Sequence, residues 1–161
     1  MTAFSAPRIW RDENHVVRPY SMADAPALLE AALASYDHLK PFLPWARDDQ
    51  TLADTEEIIS GMIQRYDDGA DFVVGIWTAD EQTYLGGSGF HLRHQDIKAQ
   101  SAEIGMWIRS GRAGRGIGRQ ALRSMVNWGF SEWPWLRLSW HCDTLNVGSI
   151  RCVEAAGFTR E

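Results

Sequence analysis

Hydrophobic positions along this chain follow two periods, and each switch between them marks an element. His15-Val16-Val17-Arg18-Pro19-Tyr20 reads as a first short strand, after a polar leader carrying Trp10. A helix is expected to open near Ser21 to Asp24, with Leu28, Leu29, Ala32, Leu33 and Tyr36 as its apolar stripe. Pro26 is tolerated there because the amides of a first helical turn have no intrahelical partner. Lys40 to Trp45 is a proline-punctuated loop that displays Phe42 and Trp45. A second helix is predicted from Asp54 and Glu57 as a capping box, with Ile58, Ile59, Met62, Ile63 and Tyr66 on one face and Gly69 as its stop.

The period then becomes extended. Phe72 to Thr78 is rich in β-branched and aromatic residues and ends at a polar turn, Ala79 to Gln82. Tyr84 to Leu92 is its expected hairpin partner, where Gly86, Gly87 and Gly89 point to a bulge or a close backbone approach. Ser101 to Arg109 is a further strand. A helix follows from about Ile117 to Phe130, burying Ile117, Ala121, Leu122, Met125 and Val126; a strand spans Leu136 to Cys142, and a last helix runs from Asn146 to Ala156 before Gly157. The order β-α-α-β-β-β-α-β-α predicts one mixed α+β domain over residues 1–161. Phe158 reads as the start of another strand, so C-terminal strands are expected beyond Glu161.

Composition narrows the function. A chain of 161 residues, 45% hydrophobic and 23% charged, is one domain's worth and can bury a core. It contains no apolar run long enough for a membrane span, and residues 1–7 lack the basic and apolar segments of a signal peptide. Cys142 and Cys152 form no disulfide framework or C-x-x-C pair, so a cytoplasmic location and no metal site are expected. A net charge of −5 argues against direct nucleic-acid binding. Between Glu103 and Glu132, however, there is no acidic residue, while Arg109, Arg112, Arg115, Arg119 and Arg123 all fall there. Such a basic island suits a small anionic ligand.

The segment Arg112-Ala113-Gly114-Arg115-Gly116-Ile117-Gly118-Arg119-Gln120 follows a strand and opens an amphipathic helix. Glycines let the backbone come close to a ligand, and the free amides of a helix start attract an anion such as a diphosphate. A Walker A loop would need Lys-Ser/Thr after Gly118, and a dinucleotide fingerprint would need G-x-G-x-x-G; neither is present. Residues 113–118, preceded by 102–108, instead resemble the acetyl-CoA motif of the GCN5-related N-acetyltransferases (GNAT). Asn146 to Phe158 is similar to the N-x-x-S…G-F segment of the RimJ/RimL branch, which acetylates N-terminal amines of ribosomal proteins. Leu39 to Trp45 is similar to the loop before that branch's second helix. Ala113 departs from the motif's preferred Gln or Arg, which removes one side-chain contact to the diphosphate.

The resemblance implies a GNAT fold: a central, mostly antiparallel sheet with two splayed parallel strands, flanked by helices. It implies that the main chain of Met106, Trp107 and Ile108 pairs with the pantetheine arm of acetyl-CoA, and that Ala113, Gly114, Arg115, Gly116, Ile117, Gly118 and Arg119 hold the diphosphate, with Asn146 nearby. Glu103 is the implied carboxylate that draws off the amine proton. Ser149 is the implied serine near the sulfur, since Val153 stands where other branches place a tyrosine. Period-two alternation sets Glu103, Gly105 and Trp107 on one strand face. His91, His94 and His141 are alternative bases. Phe42, Trp45, Trp77 and His91 are the expected acceptor-binding residues.

An α-amine of pKa about 7.7–8.0 is partly neutral near pH 7, whereas a lysine amine near 10.4 is not, so a modestly equipped site suits N-terminal amines. The expected activity is therefore acetyl transfer from acetyl-CoA to a protein or peptide N-terminal amine, by direct attack in a ternary complex. A small-molecule amine acetyltransferase and a non-catalytic acyl-CoA-binding module are the alternatives. The family resemblance also implies a homodimer.

Overall fold

The computed structural model describes residues 4–40, 47–93, 95–111, 116–141 and 147–159, with the backbone alone at 147–149 and 152. One six-stranded sheet organises it: β1 (Trp10–Arg11), β2 (His15–Pro19), β3 (Phe72–Thr78), β4 (Tyr84–His91), β5 (Ser101–Ile108) and β6 (Arg137–Ser139), side by side in chain order. Neighbours are antiparallel except β5 and β6, which run parallel. That one parallel step needs a crossover, and α4 (Ile117–Glu132) supplies it. The other helices are α1 (Ala25–Ala34), α2 (Tyr36–Leu39), α3 (Leu52–Asp67) and α5 (Val147–Ala155).

Strand alternation divides the core between two faces. Val17, Val74, Ile76, Phe90, Ile104 and Ile108 point to the face covered by Ala121, Leu122, Met125 and Trp128 of α4. Val16, Tyr20, Trp77 and Tyr84 point to the opposite face, under Ala25, Leu28 and Ala31 of α1 and Ile59 of α3. Four of the tryptophans, Trp77, Trp128, Trp133 and Trp135, are buried, and the last two stack with ring centroids 5.7 Å apart.

Several boundaries differ from the sequence reading. The capping box of α3 is Thr51 with Asp54, not Asp54 with Glu57: Thr51 Oγ1 accepts from the Asp54 amide (3.1 Å), and Asp54 accepts from the Thr51 amide (3.0 Å). This earlier start brings Thr55 to the buried stripe beside Ile59 and Tyr66, while Ile58 is exposed. Leu33 is also exposed, because the first helix breaks at Ser35 and α2 starts anew. Of the strand expected from Leu136 to Cys142, three residues, Arg137–Ser139, are strand among those described, and Cys142 lies outside them. Phe158 forms no strand and packs half-buried against the core. Gly69 (φ 72°) and Gly157 (φ 94°) do take the left-handed conformation expected past the ends of α3 and α5.

The polar leader is built in, not trailing. Asp12 turns β1 into β2 by accepting the amides of Asn14 (2.9 Å) and His15 (2.8 Å), and its other oxygen receives Trp10 Nε1 (2.9 Å) and Ser124 Oγ (2.6 Å). His15 Nδ1 lies 3.4 Å from the same Ser124 hydroxyl, and the imidazole is only 2% exposed. A buried polar knot thus pins the first hairpin to α4. Burial disfavours the imidazolium and lowers the His15 pKa below its ordinary 6.5, although the Asp12 charge opposes this. For Asp12, burial alone raises the pKa, but the bonds from Ser124, Trp10 and the two amides outweigh it and hold the carboxyl below 3.8. Both groups therefore stabilise the fold at higher pH and withdraw that stability on acidification. Stability in thermal melts should fall as the pH drops below 6.5, where the unfolded-state histidine takes up a proton that buried His15 resists. His15→Gln should flatten the profile in that window, and an unchanged slope would contradict the assignment.

Candidate active site

The site grows from the way β4 positions β5. Gly86 has no room for a side chain: a Cβ there would lie 2.0 Å from the Trp107 carbonyl oxygen. At Gly87 it would lie 2.6 Å from Trp107 Nε1, so the indole rests across the neighbouring strand in the space a side chain would fill. The β3–β4 register shifts between Ile76 and Trp77, leaving Leu85 as the bulged residue expected from the glycine-rich run. The end of β5 is then clamped. The Arg109 amide donates to the Leu85 carbonyl (2.8 Å), its guanidinium meets Glu30 of α1 (2.5 Å), and the Ser110 amide donates to the buried Ser35 hydroxyl (2.8 Å).

On its other side β5 pairs with β6 only at Ser101↔Arg137, Ala102↔Leu138 and Glu103↔Ser139. From Ile104 to Ile108 that edge has no strand partner among the described residues. The next described element after the turn is the start of α4, where Gly116 (φ 77°) occupies the N-cap in a left-handed conformation. The Gln120 amide bonds back to the Gly116 carbonyl (3.1 Å), so the amides of Ile117, Gly118 and Arg119 precede the helical ladder. Among the described residues, an open strand edge ahead of a helix start whose first amides lie outside the helical ladder can take an extended chain ending in an anion.

Polar side chains gather where β5 and β6 part. Glu103 Oε2 accepts from Arg93 Nε (2.6 Å), and Oε1 lies 3.1 Å from His141 Nδ1. Burial pulls the Glu103 pKa upward, but the Arg93 bond and charge, with His141, outweigh it and hold the carboxyl below its ordinary 4.5. Glu103 is thus an anion with both oxygens engaged. A shallow depression of about 240 Å³ opens beside it, lined by His91, Arg93, Gln95, Arg137, Ser139 and His141 among others. His91 is the cross-strand partner of Glu103, and its Nδ1 lies 2.7 Å from Asp71 Oδ1.

The residues expected from the sequence fall out as follows. Glu103 and Trp107 share a face of β5, as alternation requires, while Ile108 packs in the α4-side core with Met106 half-buried against it. Gly116, Ile117, Gly118 and Arg119 form the start of α4, with Arg119 exposed. Ser149 is the third residue of α5. Trp77, expected among the acceptor-binding residues, is buried: at 4% exposure it packs on Tyr20 and Tyr84 and carries the Arg18 guanidinium 3.8 Å above its ring. Phe42, Trp45, His94, Ala113, Gly114, Arg115, Cys142 and Asn146, and the Ser149 side chain, lie outside the described residues. Asp71 and Arg93 were missed, because their partners are distant in sequence or on another strand. Among the described residues no cluster of three or more His, Cys, Asp or Glu is placed to hold a metal ion, and no helix is long and apolar enough to cross a membrane.

Comparison with known proteins gives consistent results. A family profile described as "Acetyltransferase (GNAT) domain" matches residues 15–159. "Probable N-acetyltransferase YjcK" of Bacillus subtilis (strain 168) is 29% identical over 147 residues, which cover 90% of this chain and 80% of that protein. The solved structure of RimL, a ribosomal L7/L12 alpha-N-protein acetyltransferase in complex with coenzyme A, superposes with a TM-score of 0.85 at 21% identity, over 96% of this chain and 85% of that one. The ribosomal-protein-S5-alanine acetyltransferase of Vibrio fischeri gives 0.82 at 19% identity, over 96% and 85%. The two structures share the fold with this chain.

The close approach of β4 to β5 can be tested directly. Gly86→Ala places a methyl against a main-chain oxygen that cannot rotate away, so we expect a loss of roughly 3 kcal/mol or more, at or above the upper end for overpacking. A denaturant midpoint within experimental error of the unsubstituted chain would show that the strands can part at no cost there.

Proposed function

The chain belongs to the GNAT acetyltransferases, and on that premise we propose that it transfers the acetyl group of acetyl-CoA to the N-terminal amine of a protein or peptide. One observation carries the donor half of this reading: among the described residues the β5–β6 ladder ends after Glu103↔Ser139 and leaves the Ile104–Ile108 edge without a strand partner beside the start of α4. An extended pantetheine arm fits that edge, with main-chain groups of Met106, Trp107 and Ile108 as its partners. The amides of Ile117, Gly118 and Arg119 suit the diphosphate, since unpaired helix-start donors and the helix dipole favour an anion. By resemblance Ala113, Gly114, Arg115, Gly116 and Asn146 complete that cradle.

In this reading the amine nitrogen attacks the acetyl carbonyl carbon. A C–N bond forms, the C–S bond breaks, the nitrogen loses a proton and the sulfur gains one. A main-chain donor of β5 aimed at the carbonyl oxygen stabilises the charge that develops there more than it stabilises the ground state. The Glu103 anion favours loss of the amine proton, and Ser149 is the proton donor proposed for the sulfur. An N-terminal acceptor is favoured because an α-amine is partly neutral near pH 7, which asks little of a carboxylate already engaged by Arg93 and His141.

Support for the acceptor class also comes from relatives. RimL is named as an alpha-N-protein acetyltransferase and the Vibrio fischeri enzyme as acting on ribosomal protein S5. The test is CoA release from acetyl-CoA with two acceptor panels: peptides with free N-termini, and aminoglycosides, polyamines and amino acids. Turnover confined to the peptides is expected. Turnover confined to the small amines would overturn the acceptor assignment. Thermal stabilisation by acetyl-CoA (about 2.7 kcal/mol at a hundredfold excess over Kd) without turnover in either panel would instead favour a binding module.

A further inference from the structure

His91 has a setting that the carboxylate of Glu103 lacks. Its Nδ1 lies 2.7 Å from Asp71 Oδ1, and a carboxylate accepts, so Nδ1 carries the proton and Nε2 presents its lone pair. Two missing side chains make room for the ring. A Cβ at Gly89 would lie 3.1 Å from His91 Nε2, and one at Gly105 would lie 3.3 Å from it. The imidazole therefore lies over the boundary between β4 and β5, and Nε2 has no hydrogen-bond partner among the described residues. The side chain is 17% exposed, so the ring is held without being sealed off.

Position along the strand decides between the two candidates. At about 3.3 Å of rise per residue, Glu103 sits roughly 10 Å of strand before Met106, whereas Gly105 is one residue before it. The His91 ring leans toward Gly105; the Glu103 side chain instead serves Arg93 and His141. We propose that His91 is the base that takes the proton from the acceptor amine, with Asp71 as the positioning residue that fixes its tautomer and direction. This rests on the acetyltransferase reading above. As the C–N bond forms, the nitrogen becomes cationic and passes one proton to His91 Nε2, giving an imidazolium paired with Asp71. The C–S electrons leave on sulfur, which takes a proton through Ser149 as in the reading above; the imidazolium then returns its own proton to solvent, from which the serine is reprotonated. Among the described residues, the charged and titratable groups around the ring are Asp71 ahead of β3, Arg93 after β4, Glu103 on β5, and Arg137 and His141 on and after β6.

The experiment is steady-state kinetics against pH, with acetyl-CoA and an accepted amine, for the unsubstituted protein, His91→Gln, Asp71→Asn, their double variant and Glu103→Gln. His91→Gln should lower kcat by about a hundredfold or more, as expected for loss of a general base. It should leave KM for acetyl-CoA unchanged and abolish the acid limb of the kcat profile. Asp71→Asn should lower kcat by a smaller factor, and the double variant should be no slower than His91→Gln alone. Glu103→Gln should keep the acid limb. If His91→Gln fails to fold, as judged by circular dichroism, Asp71→Asn carries the test: a lower kcat at constant KM supports the pair, and an unchanged kcat refutes it. An active unsubstituted protein whose acid limb survives in His91→Gln refutes the role of His91 alone. An unsubstituted protein that releases no CoA with any amine refutes the acetyltransferase reading, and the role of His91 with it.

Discussion

The missing side chains of β4 are the constraint on which the rest depends. Gly86 lets the β5 main chain approach so closely that no other residue fits, Gly87 receives the Trp107 indole, and Gly89 clears the floor under His91. β5 is thereby held from one side by β4, from its end by Arg109 with Glu30 and Ser110 with Ser35, and needs little from β6. A strand so anchored can leave its second edge open. In most sheets an open edge is a hazard for unwanted pairing; here, among the described residues, it adjoins a crossover helix whose first amides precede the helical ladder, so one extended anionic ligand can satisfy both.

The division of the core follows from the same strands. Residues of β5 alternate between the α4 core, through Ile104 and Ile108, and the opposite face, where Glu103, Gly105 and Trp107 meet the groups of β4. The α4 face is apolar around Trp128, Trp133 and Trp135, and the cluster of Glu103, His91 and Asp71 lies on the other side. The knot of Asp12, His15 and Ser124 joins the hairpin at one margin of the sheet to the crossover helix. It ties the first described strands to the helix that opens at the diphosphate end of the proposed site.

Much of this could be read from residue patterns. The 3.6-residue periods of α3 and α4, the extended run Phe72–Thr78 and the glycines of β4 act locally, so a single sequence reveals them. The glycine-rich turn before α4 combined composition, position and charge, which is why the family was legible before any coordinates. What failed depended on contacts between distant segments. The burial of Trp77 shows only when Tyr20, Tyr84 and Arg18 are brought round it. Asp71 and His91 are 20 residues apart and meet only because β3 and β4 pair, and Asp12 reaches Ser124 across 112 positions. The α3 cap was misplaced by one candidate acid because Thr51 and Asp54 present the same S/T-x-x-D/E pattern one turn earlier.

The account stands or falls on where the donor lies, and amide hydrogen exchange with and without CoA addresses that directly. Binding should slow exchange in two separated stretches together: the open edge at residues 104–108 and the helix start at 117–119. Slowed exchange confined to the depression around His91, Arg93 and Arg137, with the β5 edge unchanged, would contradict the account, because the ligand would then occupy the space assigned to the amine.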